Sequence, residues 1–260
     1  MRIDRIDVFD PFSTSRAFAW FVIIVIFCLG WAGSTISAVA VLLGAPLPPA
    51  TASGAATGIV SDLVCVVLSL IVVFAYTNAG TRRRDLKIGQ RVALTAKTLC
   101  VSYFGVQIGW FVVTFLSGVP GWHIRPAQGA IDGSQMLDLV KLAMAGPAEE
   151  LALVAVPVML LRATKYGWAT VAITAVILRV PFHLYYGWAA LGLTIWALLA
   201  VALYRRTGSI LGPILAHAIH NVMTIYPDNA LMVRAILCYG AIGVMGWTLW
   251  RASKPAEIVR

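Results

Sequence analysis

Residues 17–44 read AFAWFVIIVIFCLGWAGSTISAVAVLLG, a stretch without one charged side chain. Crossing the hydrocarbon layer of a bilayer, ~30 Å thick, takes about 20 apolar residues in a helix, and this run exceeds that. It is too long for the core of a cleavable signal peptide, which is roughly 7–15 residues, and no clear cleavage signal follows it. The run is therefore expected to remain as a first membrane span. Working outward, comparable runs recur at 57–79, 92–117, 135–161, 167–185, 188–204, 209–225 and 231–250, giving about eight. Of the 260 residues 60% are hydrophobic and 12% charged, far from the roughly half-apolar, quarter-charged balance of soluble domains. The expected fold is all-α, a polytopic transmembrane helical bundle forming a single domain over 1–260.

The net charge of +9 could suggest nucleic acid, but the basic residues fall in short clusters between apolar runs rather than along one solvated stripe. No nucleic-acid partner is expected; the lipid bilayer is the partner that the composition implies. Lys and Arg are enriched in cytoplasmic connections. With the N-terminus inside, the inner segments hold Arg2, Arg5 and Arg16, then Arg82, Arg83, Arg84, Lys87, Arg91 and Lys97, then Arg162 and Lys165, then Arg205 and Arg206, and finally Arg251, Lys254 and Arg260. The outer side holds Arg125 and Arg234. An even number of spans with both termini cytoplasmic follows, in a multi-pass protein of the cell membrane. The segments Pro46 to Gly54 and Val119 to Gly133 read as exposed connections. Cys28, Cys65, Cys100 and Cys238 lie in four different spans without paired spacing, so they read as packing residues rather than a zinc or redox motif.

An ionisable group deep in a bilayer costs about 2.5–3.5 kcal/mol on insertion scales, so each one inside a span needs a reason. These residues concentrate in the second half of the chain: Glu149 and Glu150 in the fourth span, His183 near the end of the fifth, and His217, His220 and Asn221 in the seventh. Gly146-Pro147 is expected to break the fourth helix and to start a new one, whose first turn would carry both glutamates where the helix dipole favours acids. Such a break is tolerated where it lines a protein cavity or water. His217 and Asn221, four residues apart, share a helical face and could donate to a developing oxyanion or hold a water. His220 lies toward the same side as a supporting residue. Against this stands the reading of intramembrane His and Asn as hydrogen-bonding glue between helices. Adjacent acids on one helix are harder to satisfy that way. Asp62, Asp138, Lys141 and Gln107 are given no functional role, because Asp62 and Asp138 fall near span ends and Lys141 lies one turn from Asp138.

Three segments, AGPAEELALVAV (145–156), LRVPFHLYYG (178–187) and GSILGPILAHAIHN (208–221), together resemble the CPBP or ABI family of CAAX proteases and bacteriocin-processing or immunity proteins. That family carries a Glu-Glu motif, an aromatic-x-x-x-His motif and a His-x-x-x-Asn motif on successive membrane helices. The likeness covers roughly 135–225, the expected catalytic core. It implies an intramembrane glutamate-dependent endopeptidase acting on membrane-associated protein substrates, CAAX-type among them, with no cofactor and no metal. Carried over, Glu149 would activate a water, His183 would help position it, His217 and Asn221 would stabilise the oxyanion, and Glu150 would support the site. The sequence departs from the family twice: Val154 stands where an Arg five residues after the first Glu is usual, and Arg179 where an aromatic four residues before the His is usual. One reading is that Arg179, a turn before His183, supplies the missing charge by pairing with Glu150 or Glu149. The other is that it snorkels to an interface.

Other functions compete. The alternative to the protease is a catalytically inactive immunity or scaffold protein of the same fold, to which the two departures add weight. A proton-coupled transporter would show inverted repeats, and none is visible. Metal hydrolysis has no HExxH to support it and would need ligands assembled across helices.

Overall fold

The computed structural model describes residues 12–49, 51–77, 87–122, 135–225 and 227–253. Arg2, Arg5, Arg82, Arg83, Arg84, Arg125, Lys254 and Arg260, on which much of the charge asymmetry rests, lie outside the described residues. Helix α1 spans Arg16–Leu42, α2 Ala52–Thr77, α3 Ile88–Ser117 and α4 Gln135–Glu150, which runs through a π-helical turn, Leu151–Ala155, into α5, Val156–Ala163. Then come α6 Trp168–Arg179, a 3-10 stretch Pro181–Gly192 continuing into α7 Leu193–Thr207, α8 Leu211–Ile225 and α9 Pro227–Ser253. The described residues contain no strand, as expected for apolar segments whose backbone groups must bond within themselves.

Six of these rods are long and apolar enough to cross a membrane: 16–42, 52–77, 88–117, 136–163, 181–207 and 231–248. The chain is a multi-pass membrane protein. Large apolar side chains such as Phe21, Ile36, Phe111, Phe115 and Ile177 stand exposed on the outside of the bundle, where lipid tails would cover them.

The expected fifth and seventh spans are shorter than the sequence suggested. Helix α6 has 12 residues and α8 has 15, and at 1.5 Å per residue neither reaches ~30 Å. Pro181 ends the fifth span early: Val180 keeps helical dihedrals, but proline donates no backbone hydrogen bond and its ring crowds the carbonyl four residues earlier, so the chain runs on as a 3-10 stretch. His183 therefore sits in the 3-10 stretch that leads into α7 rather than at the end of the fifth span. Gly187, at φ +77°, kinks the 3-10 stretch in its middle.

The rod formed by α4, the π turn and α5 is the centre of the molecule. Its span is 83% buried, against 6–44% for the other five. Gly146 lets α8 close on it: a Cβ there would stand 2.8 Å from both the Ala218 nitrogen and the Ile214 oxygen. Small residues at such crossings are how membrane helices approach closely.

The expected break at Gly146-Pro147 does not occur. Helix α4 continues through Pro147 to Glu150, and the irregularity comes one turn later. There the Val156 N–H reaches back five residues to the Leu151 oxygen. Pro157 follows immediately; its ring would crowd the carbonyl four residues earlier, and a π turn opens the backbone at that place. The glutamates thus close a regular helix instead of opening a new one.

Candidate active site

Consecutive residues of a helix point about 100° apart, so the two glutamates at the end of α4 have different surroundings. Glu150 is wholly buried. Its Oε1 accepts from Arg179 Nη2 at 2.7 Å, from His217 Nδ1 at 2.9 Å and from Trp196 Nε1 at 3.1 Å. Arg179 closes α6, Trp196 lies on α7 and His217 on α8, so one carboxylate oxygen ties three elements to the central rod. The Arg179 guanidinium, 1% exposed, also lies 5.7 Å from the centre of the Trp196 ring. It has not snorkelled to an interface; its partner is Glu150. Val154 is fully buried in the π turn, packed in the apolar core.

A carboxylate paired with a guanidinium is an acceptor only. The His217 nitrogen facing it, Nδ1, must therefore carry a hydrogen. His217 Nε2 lies 3.9 Å from Glu149 Oε2, beyond the range of a direct hydrogen bond. Glu149 is 6% exposed, and its Oε2 has no hydrogen-bond partner among the described residues.

His183 is oriented by the same reasoning. Its Nδ1 bonds the Arg179 carbonyl oxygen at 2.9 Å, again an acceptor, so Nδ1 carries the hydrogen and Nε2 is bare. Tyr186 lies nearly parallel to the ring at 6.3 Å, and Phe182 stands 4.3 Å away. Glu149 interacts electrostatically with His183, Tyr185 and Tyr186. Both imidazoles are held by a hydrogen bond at Nδ1, and that of His217 comes within 3.9 Å of Glu149.

Asn221 is placed differently from its histidine partner. Its Nδ2 donates to the Leu142 oxygen at 3.3 Å, in the turn of α4 ahead of Pro147, leaving the second N–H of the amide for another acceptor. His220 turns toward α3: its Nδ1 contacts Gln107 Nε2 at 3.0 Å, and its ring stacks on Trp110 at 5.7 Å. It joins α8 to α3, so the expected support of the glutamate pair goes instead to a helix contact, and Gln107 gains a partner that its sequence position did not suggest.

Sequence reasoning missed Trp196, the third donor to Glu150. The available signal was its depth, since it lies in the middle of the 181–207 rod while membrane tryptophans favour the interfaces. It also misplaced Asp62. Helix α2 begins at Ala52, so Asp62 lies almost three turns inside it rather than near an end.

No curated protein and no solved structure matches the chain. Residues 135–223, which contain the glutamate pair, Arg179, His183, Trp196, His217 and Asn221, match the family model described as type II CAAX prenyl endopeptidase Rce1-like, and by that match this part of the chain is similar to the membrane proteases of the CPBP family.

Proposed function

We propose that the chain is an intramembrane endopeptidase of the cell membrane in which Glu149 is the general base. The observation that carries this reading is the asymmetry of the acid pair: Glu150 takes three donors, all on Oε1, with its Oε2 unpartnered like Glu149 Oε2, while Glu149 has only a histidine nitrogen 3.9 Å from its Oε2. A water lying between Glu149, His183 and His217 would attack the scissile carbonyl carbon as one of its protons passes to Glu149. The resulting oxyanion would accept from the second Asn221 N–H and from His217 when that ring is also protonated on Nε2, its charge then balanced by Glu150. Glu149 would return the proton to the leaving amine nitrogen as the C–N bond breaks. The substrates are peptide bonds of membrane-associated proteins, CAAX-type sequences among them, and both chain termini lie in the cytoplasm.

An inactive immunity or scaffold protein is the second reading, motivated by Val154 in place of the family's arginine. The Arg179–Glu150 contact at 2.7 Å weighs against it, because a guanidinium arriving from α6 gives Glu150 the counter-charge that position 154 lacks. The test compares membranes from cells carrying the wild type, Glu149→Ala or His183→Ala by mass spectrometry of peptide termini. Termini present in the wild type and lost in both variants, at equal protein levels, support the protease; identical termini in all three overturn it.

A further inference from the structure

Asp62 is the one acid of α2. It shares the inward stripe of that helix with Ala55, Cys65, Ser69 and Tyr76, all buried, while Val60, Leu63 and Val67 on the other side are exposed. An acid so deep in an apolar helix faces protein or water, not lipid.

Two charged groups of α4 lie along the same seam. The Lys141 stem rests on Gly58, where a Cβ would stand 3.2 Å from Lys141 Cε and 3.9 Å from its Nζ. Asp62, one turn after Gly58, interacts electrostatically with both Lys141 and Glu149. Lys141 and Glu149 are about 12 Å apart along the axis of α4, at 1.5 Å per residue. From the N-terminal ends of α2 and α4 inward, the order is therefore Lys141, Asp62, Glu149. Exposure falls in the same order: Lys141 is exposed, Asp62 half-buried and Glu149 buried with its unpartnered Oε2.

We propose that the α2–α4 seam is the water channel of the site, with Lys141, its stem packed on Gly58, at the mouth, and Asp62 as the hydrogen-bonding station between the membrane surface and Glu149. A hydrolase inside lipid consumes one water per bond cleaved, and a carboxylate offers several acceptor positions through which water can be relayed where the neighbouring surface is hydrocarbon. The purpose of the channel rests on the protease reading. Its hydration does not.

The test uses the full-length protein in membranes, with the four native cysteines replaced by alanine. A single cysteine is introduced by Ala145→Cys, midway between Lys141 and Glu149 on α4, and for comparison by Leu63→Cys on the lipid-facing side of α2. The probe is the charged, membrane-impermeant reagent 2-sulfonatoethyl methanethiosulfonate, added to opened membranes and read by intact mass. A thiol reacts as the thiolate, which needs water. The thiol of Ala145→Cys is expected to react at least tenfold faster than that of Leu63→Cys. Adding Asp62→Leu should slow the Ala145→Cys thiol at least tenfold, with thermal melting showing that each variant is folded. If the Asp62→Leu protein does not fold, Asp62→Val takes its place. An unreactive thiol in Ala145→Cys overturns the channel, and a thiol there indifferent to Asp62→Leu overturns the role of Asp62. Neither result depends on cleavage, so loss of the channel and loss of the protease reading are separate outcomes.

Discussion

Replacing Arg179 by methionine keeps most of the side-chain length and removes the guanidinium, leaving Glu150 without its shortest hydrogen bond, 2.7 Å. Both side chains are shielded from solvent, at 1% and 0% exposure, so dielectric screening does little to soften the loss. Breaking a buried ion pair by removing one partner costs about 3–5 kcal/mol, because the other charge stays behind. Melting temperatures of proteins of 150–250 residues move by roughly 2–4 °C per kcal/mol, which puts Arg179→Met on the order of 10 °C below the wild type. Removing both charges is different: an ion pair replaced by neutral groups of similar shape is close to neutral in stability. Arg179→Met with Glu150→Gln should therefore melt well above Arg179→Met alone. The assay is thermal unfolding of purified protein in detergent, arranged as a double-mutant cycle. If Arg179→Met melts within about 2 °C of the wild type, less than the shift expected for a single kcal/mol, or if Glu150→Gln adds its own loss in full, the ion pair does not carry the weight assigned to it.

Further outcomes follow from the same contacts. Glu150→Gln should lower the melting temperature and Glu149→Gln should not, because Glu150 accepts from three donors whereas Glu149 Oε2 has no partner; paired melts decide. Trp196→Phe removes one donor to a charged acceptor and should cost about 1.5–3 kcal/mol in the same assay. Gly146→Val drives side-chain atoms into the backbone of α8 and should destabilise by ~1–3 kcal/mol or more, seen as lost yield of folded protein. His220→Ala should lose stability through the Gln107 and Trp110 contacts yet retain peptide cleavage, while His217→Ala should lose cleavage.

What the sequence disclosed and what it hid divide along physical lines. Uniform apolar runs announce helices wherever lipid forbids unsatisfied backbone, so the rods α1 to α3 and the central rod were visible in outline. The glutamate pair was visible because two adjacent acids at membrane depth have no cheap structural use. The partner of Arg179 was reachable by the same logic, since a buried guanidinium needs an acid and few were present. Pro147 misled because proline marks a helix start and a tolerated interior kink equally well; whether the chain breaks depends on α8 packing against Gly146, which no local pattern reports. The end of α6 depended on Pro181, and a count of apolar residues passes over it. Asp62 was misjudged by the placement of one boundary, and Trp196 was hidden because a tryptophan among apolar neighbours shows no polar handle until a carboxylate stands beside it.

Glu149 as the base of a peptide hydrolysis is the central claim, and the most direct measurement is made on purified protein in lipid vesicles. A pool of membrane-associated peptides, including CAAX-type sequences, is incubated with wild type and with Glu149→Gln, and new termini are counted by mass spectrometry. New termini with the wild type and none with folded Glu149→Gln are predicted. Equal termini from both, or none from a folded wild type, would contradict the account.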